Sequence, residues 1–136
     1  MSEENVEILR EVFATVNDRG VRAATDDFRD LLDPEFELEE ASNVPDQESH
    51  SGRDAFIANM AKLEESFEEL RIVPIEFVDL GDRLVVVVSI AGRGRAGGVP
   101  VETTVAQLWS LRDGKAVSLR DYATKSEALE AAGLSE

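Results

Sequence analysis

The chain has 136 residues, 43% of them apolar, and no cysteine, which fits a single domain spanning residues 1–136 with its own core and excludes disulfides and thiolate metal sites. Acidic side chains outnumber basic ones 29 to 14, for a net charge of −15, and a surface that negative argues against nucleic-acid and membrane partners. Nothing after the acidic start Met1-Ser2-Glu3-Glu4 has the basic-then-apolar pattern of a leader, and the longest apolar run, Leu84 to Val88, is too short to cross a bilayer; the cytoplasm is the expected location.

Helical periodicity comes first. Val6, Leu9, Val12, Phe13 and Val16 recur at spacings of three and four after a Ser2 cap and two first-turn glutamates, and Asn17-Asp18-Arg19-Gly20 stops that helix. Val21, Ala24, Phe28, Leu31 and Leu32 form a second stripe, ended by Asp33-Pro34. Phe36 and Leu38 alternate with glutamates as in a short, half-buried strand, and a polar loop from Ala41 to His50 follows. Ser51-Gly52-Arg53-Asp54 opens a third helix with Asp54 placed as the acidic partner of a capping box; its buried stripe is Phe56, Met60, Leu63 and Phe67.

From Leu70 the period becomes two. Strands are predicted at 70–79, 83–93, 99–112 and 115–123, separated by Leu80-Gly81-Asp82, by the glycine-rich 92–98 stretch and by Asp113-Gly114. Val85 to Val88 is apolar throughout, so that strand is covered on both faces. Ser126 to Ala132 makes a last helix closed by Gly133. Helices first and strands after define an α+β architecture.

The last hairpin has two registers. A two-residue turn at Asp113-Gly114 pairs Trp109 with Ser118 and Gln107 with Arg120. A three-residue turn including Lys115 pairs Leu111 with Val117, Trp109 with Leu119, and Gln107 with Asp121. The second gathers four apolar side chains on one face and is preferred; it sets Gln107 beside Asp121 on the covered face.

The order of these elements, with Asp33-Pro34-Glu35-Phe36-Glu37-Leu38, Ser51-Gly52-Arg53-Asp54-Ala55, Leu80-Gly81-Asp82-Arg83-Leu84-Val85-Val86, Leu108-Trp109-Ser110-Leu111-Arg112-Asp113-Gly114-Lys115 and Arg120-Asp121-Tyr122, resembles the SnoaL-like polyketide cyclases of the nuclear-transport-factor-2-like superfamily. The resemblance covers nearly the whole chain. It implies a cone-shaped domain, with N-terminal helices packed in the concave face of a curved antiparallel sheet that encloses a mostly apolar pocket. It also implies a homodimer through the outer face of the sheet, covering Leu108 and its neighbours. It does not imply one function, since members include cyclases, isomerases, hydrolases, dehydratases and non-catalytic binders.

Asp121 resembles the family's acid/base. A carboxylate in an apolar pocket has its charged form disfavoured, which raises its pKa toward a value useful for proton transfer. Gln107 stands where the cyclases place a histidine and the isomerases an acid; a glutamine exchanges no proton, but it can polarise a carbonyl or hold a water. Phe13 stands where the isomerases carry an oxyanion-binding tyrosine and lacks the hydroxyl, which argues against steroid isomerisation. Glu40 shares the inward parity of Phe36 and Leu38 and is the candidate second carboxylate, with Glu39 one residue away as the alternative. Trp109 points inward on the preferred register. Phe13, Phe36, Leu38, Phe56, Met60, Gln107, Trp109 and Leu119 are the expected pocket lining.

Three further patterns read as structural. His50, the sole histidine, belongs to surface or pocket rim, since one histidine without cysteine builds no metal site. Gly92-Arg93-Gly94-Arg95-Ala96-Gly97 matches a dinucleotide fingerprint, but a strand follows it and no helix N-terminus is on hand for a pyrophosphate. Glu64-Glu65 and Glu68-Glu69 read as solvated charge at a helix end. No cofactor or metal is expected. Two functions follow: a cofactor-free lyase, isomerase or hydrolase acting on a small apolar carbonyl or related substrate, with Asp121 as acid/base; or a small-ligand carrier or dimerising module that uses the cavity without turnover.

Overall fold

The first helix, α1 (Ser2–Arg19), turns Leu9, Phe13 and Val16 into the core, and Ser2 is its first helical residue rather than its cap. This computed structural model describes residues 2–39 and 49–133. The second stripe divides in two: α2 (Val21–Asp27) is followed by a 3-10 turn (Arg29–Leu31), and Leu32 already begins strand β1 (Leu32–Glu39). The break comes early because Asp33-Pro34 disfavours helical backbone ahead of the proline. The expected loop 41–50 lies outside the described residues up to 48, and Ser49–Ser51 forms a short strand, β2, so His50 sits in a strand rather than a loop.

Helix α3 (Arg53–Ser66) starts at Gly52, whose φ of 97° reaches a region that favours glycine. Its N-cap is Gly52, which has no side chain to offer, and Asp54 ion-pairs with Arg29. Phe67, expected as the end of the α3 stripe, is the first residue of strand β3 (Phe67–Asp79) and pairs with Gly94. Strands β4 (Arg83–Gly94), β5 (Pro100–Arg112) and β6 (Lys115–Tyr122) follow, then α4 (Lys125–Ala131), capped by Thr124 Oγ1 accepting from the Glu127 amide at 3.1 Å.

The strands form one sheet in the order β2-β1-β6-β5-β4-β3. It is antiparallel except where β1 runs parallel to β6, pairing Leu38 with Leu119, so the sheet is mixed. The chain reaches β1 from the helices and returns to its side only at β6, so no hairpin constrains the direction of that pair.

The sheet curves around α1, α2 and α3, and its two faces carry two apolar clusters. On the concave face Leu84, Val86 and Val88 of β4 meet Leu9, Phe13 and Trp109. On the convex face Val85, Ala106 and Leu108 are covered by Ala128, Leu129 and Ala132 of α4. Double coverage of β4 is why its valine run shows no alternation. Leu108, expected under a dimer partner, is 8% exposed because its own chain covers it.

The β5–β6 hairpin reaches the preferred pairs by another route. Asp113 and Gly114 have φ of 53° and 78°, the signature of a two-residue turn with both central residues left-handed, and Arg112 pairs with Lys115. Leu111 pairs with Ala116, not Val117. A bulge then absorbs Val117, and Ser110–Ser118, Trp109–Leu119 and Gln107–Asp121 follow in register. One extra residue on β6 therefore turns Asp121 to the concave face.

Candidate functional site

Between the helices and the concave face lies a cavity of about 440 Å³, open to solvent on one side. Its volume falls in the roughly 300–1,000 Å³ range of small-molecule sites. The first two helices contribute Leu9, Val16, Val21, Ala24 and Phe28, and the sheet contributes Ile72, Ile90, Val105, Leu111 and Ala116.

Of the expected lining, Phe13, Leu38, Phe56, Met60, Gln107, Trp109 and Leu119 all border this cavity. Phe36 does not. It is completely buried behind the wall, with its ring 4.7 Å from that of Phe56 and 6.2 Å from that of Trp109. Those two aromatics stand between Phe36 and the ligand space, so the inward parity of β1 was read correctly and its depth was not. Glu40 lies outside the described residues, as does the side chain of Glu39; of His50 only the backbone is described, paired with Leu38.

Asp121 borders the cavity, half-buried, with Oδ1 shielded from solvent. Gln107 is its partner across the β5–β6 ladder and is 9% exposed. Directly opposed residues of antiparallel strands hold their Cβ atoms about 4.5–5.5 Å apart, so a carboxylate and a carboxamide share one patch of the sheet. The indole Nε1–H of Trp109 donates to Gln107 Oε1 at 2.9 Å within the buried layer. Sequence reasoning missed this bond, although an indole and an amide two residues apart on one strand face are the signal for it.

The remaining polar lining is a rim on the helices. Thr25 of α2 and Asn59, Lys62 and Ser66 of α3 border the cavity, and the three on α3 recur at helical spacing. The helices at this rim are tied by charge. Glu64 Oε2 accepts from the Val21 amide at 2.6 Å, capping α2 from the neighbouring helix, and Arg22 reaches Glu65 at 2.5 Å. Glu64 is therefore a structural acceptor rather than solvated helix-end charge. Glu65 is the exposed partner of Arg22, and Glu68 and Glu69 belong to β3. Of the glycine-rich 92–98 stretch, residues 92–94 end strand β4, and the remainder lies in the β4–β5 hairpin connection. Among the described residues no three histidine, aspartate or glutamate side chains gather as a metal site.

A mixed α+β sheet wrapped around helices, with an apolar cavity between the layers, is the architecture of the nuclear-transport-factor-2-like proteins, and solved structures bear this out. A candidate SnoaL-like polyketide cyclase from Jannaschia sp. is 25% identical, with a TM-score of 0.75 over 96% of this chain and 92% of that one. A nuclear-transport-factor-2-like protein from Burkholderia xenovorans is 27% identical, with a TM-score of 0.72 over 97% of each chain. A protein from Catenulispora acidiphila with a ketosteroid-isomerase-like fold, solved with trimethylamine, is 18% identical; its TM-score is 0.71 over 94% of this chain and 93% of that one. The SnoaL-like domain profile matches residues 9–119, and the chain belongs to that family. A search of curated protein sequences finds no match.

Proposed function

We propose that this protein takes up a small, largely apolar molecule in the cavity and that Asp121 acts on it as a general acid/base, making the chain a cofactor-free lyase, isomerase or hydrolase. The observation that carries this reading is the pairing of Asp121 with Gln107 on an otherwise apolar stretch of the concave face. A carboxylate with one edge withdrawn from water is poised to exchange a proton with a bound molecule rather than with bulk solvent. Gln107, which does not titrate, would orient that molecule.

The test begins with native mass spectrometry of the purified protein for a co-purifying small molecule. Ala24→Phe, which fills the cavity from α2, should abolish its retention; retention by that variant would contradict the cavity as the site. Asp121→Asn should keep the molecule bound and lose its turnover. If Asp121→Asn leaves both binding and turnover intact, the acid/base role falls and the cavity serves binding alone.

Assembly belongs to the same proposal. Helix α4 covers the convex face at Leu108, but β3 at the sheet edge leaves Val73 38% and Ile75 62% exposed. A second copy pairing over the uncovered part of the sheet, where Val73, Ser89 and Thr104 lie in register, would bury Val73.

A further inference from the structure

From the helical rim of the cavity we infer that the ligand is a monoanionic amphiphile, a carboxylic acid on an apolar body, whose carboxylate pairs with Lys62 while the body fills the cavity. This rests on the cavity being the ligand site and adds what holds the outer end of the molecule.

Cations find partners readily in a chain with 29 acidic and 14 basic side chains. Along the helical layer Arg10 lies 3.6 Å from Glu7, Arg19 2.6 Å from Asp27 and Arg22 2.5 Å from Glu65, and Arg29 pairs with Asp54. Arg53, at the start of α3, donates to the Leu32 carbonyl at 3.4 Å. Lys62 differs from all of these: its ammonium has no partner among the described residues. Glu65 follows it by three residues on α3, but Arg22 holds that carboxylate.

Lys62 is exposed and also borders the cavity. A lysine lays its methylenes along apolar surface and keeps its ammonium in water, so a charged head can meet it without leaving solvent. The hydroxyls of Thr25 and Ser66 donate to the carbonyls of Arg22 and Lys62 at 2.9 Å each, and Asn59, one turn before Lys62 on the same helix face, is a further donor at this rim. Among Leu9, Phe13, Met60 and Leu119 a charge would lose its hydration without compensation, so the charge of a bound molecule belongs at the rim. Lys62 sets its sign. One ammonium balances one negative charge, whereas the second charge of a phosphate would stand uncompensated in a chain of net charge −15; that selects a carboxylate. The other end of the molecule is then the one that meets the sheet wall at Asp121 and Gln107.

The test uses octanoate, 1-octanol and n-octylammonium, which share one apolar tail, in ligand-observed NMR titrations at neutral pH. Acid and alcohol differ in hydration, but that difference is the same for every variant, so the readout is the change in the octanoate-to-octanol affinity ratio. Lys62→Met should lower this ratio roughly fivefold and leave the affinity for 1-octanol unchanged. Salt gives a second readout with opposite signs. In wild type the ratio should fall as ionic strength rises, whereas in Lys62→Met it should not fall, because only repulsion from the net negative charge remains to be screened. Wild type should also bind octanoate more tightly than octylammonium, against its net charge, and Lys62→Glu should invert that order. An unchanged ratio in Lys62→Met, or a wild-type preference for octylammonium, overturns the inference while the binding of 1-octanol keeps the cavity as the ligand site. Failure of wild type to bind any of the three, or equal binding of 1-octanol by Ala24→Phe, overturns both.

Discussion

Replacing Phe36 with alanine separates a residue of the wall from the residues that face the ligand. Its side chain has no exposure and touches two rings. Removing it forfeits about 1.5–3 kcal/mol of apolar burial and about 0.5–1.5 kcal/mol from each ring pairing, in line with the roughly 3–5 kcal/mol typical of Phe→Ala in cores. In a domain of this size each kcal/mol moves Tm by about 3–5 °C, so Tm should fall by roughly 10–20 °C. Met60→Ala, at a half-buried position that already faces the cavity, should lose less than about 1.5 kcal/mol. Urea unfolding followed by circular dichroism gives the global value, and Trp109 fluorescence reports the same site locally. A Phe36→Ala loss below about 1 kcal/mol, or one no larger than that of Met60→Ala, would refute the placement of Phe36 behind the wall.

Gly20→Ala should destabilise the protein by about 1–3 kcal/mol, since Gly20 holds φ 98° and an added Cβ would meet Glu64 Oε2 at 2.9 Å; an unchanged urea midpoint would contradict the cap. Deleting Val117 removes only the bulge, so Gln107 should still oppose Asp121 in backbone NOEs across the hairpin, and a shift to Arg120 would refute the register argument. Leu108→Asp should lower Tm through loss of its contacts with α4, with the helical signal of residues 125–131 weakened in chemical shifts; an unaltered α4 would contradict its docking on that face. Light scattering at micromolar concentration should give a dimer mass for wild type and a monomer mass for Val73→Arg, and a wild-type monomer would remove the assembly proposal.

Periodicity revealed α1, α3 and the long strands because each buries one continuous face, and the doubly covered β4 announced itself by its unbroken valines. What periodicity could not show is where contacts distant in sequence override local signals. Asn17, which resembles a helix-stop residue, lies inside α1, and its carboxamide pairs with both backbone groups of Ile72 at 2.9 Å, completing the edge of β3. Glu64 caps a helix 43 residues earlier in the chain, a partnership no local pattern records. The pairing of Gln107 with Asp121 was legible from apolar packing alone, although the chain achieves it with a bulge rather than a longer turn. Phe36 shows the opposite limit, since side-chain parity indicates a face and says nothing of how many layers lie between it and the cavity.

A crystal structure of the protein with its co-purifying small molecule bound tests the central claim most directly. The account predicts density in the cavity between the helices and β5–β6, with a polar atom of the molecule against Asp121 and Gln107. Density lying in the cavity away from Asp121 would contradict the acid/base role, and an occupied site elsewhere with the cavity empty would contradict the cavity as the functional site.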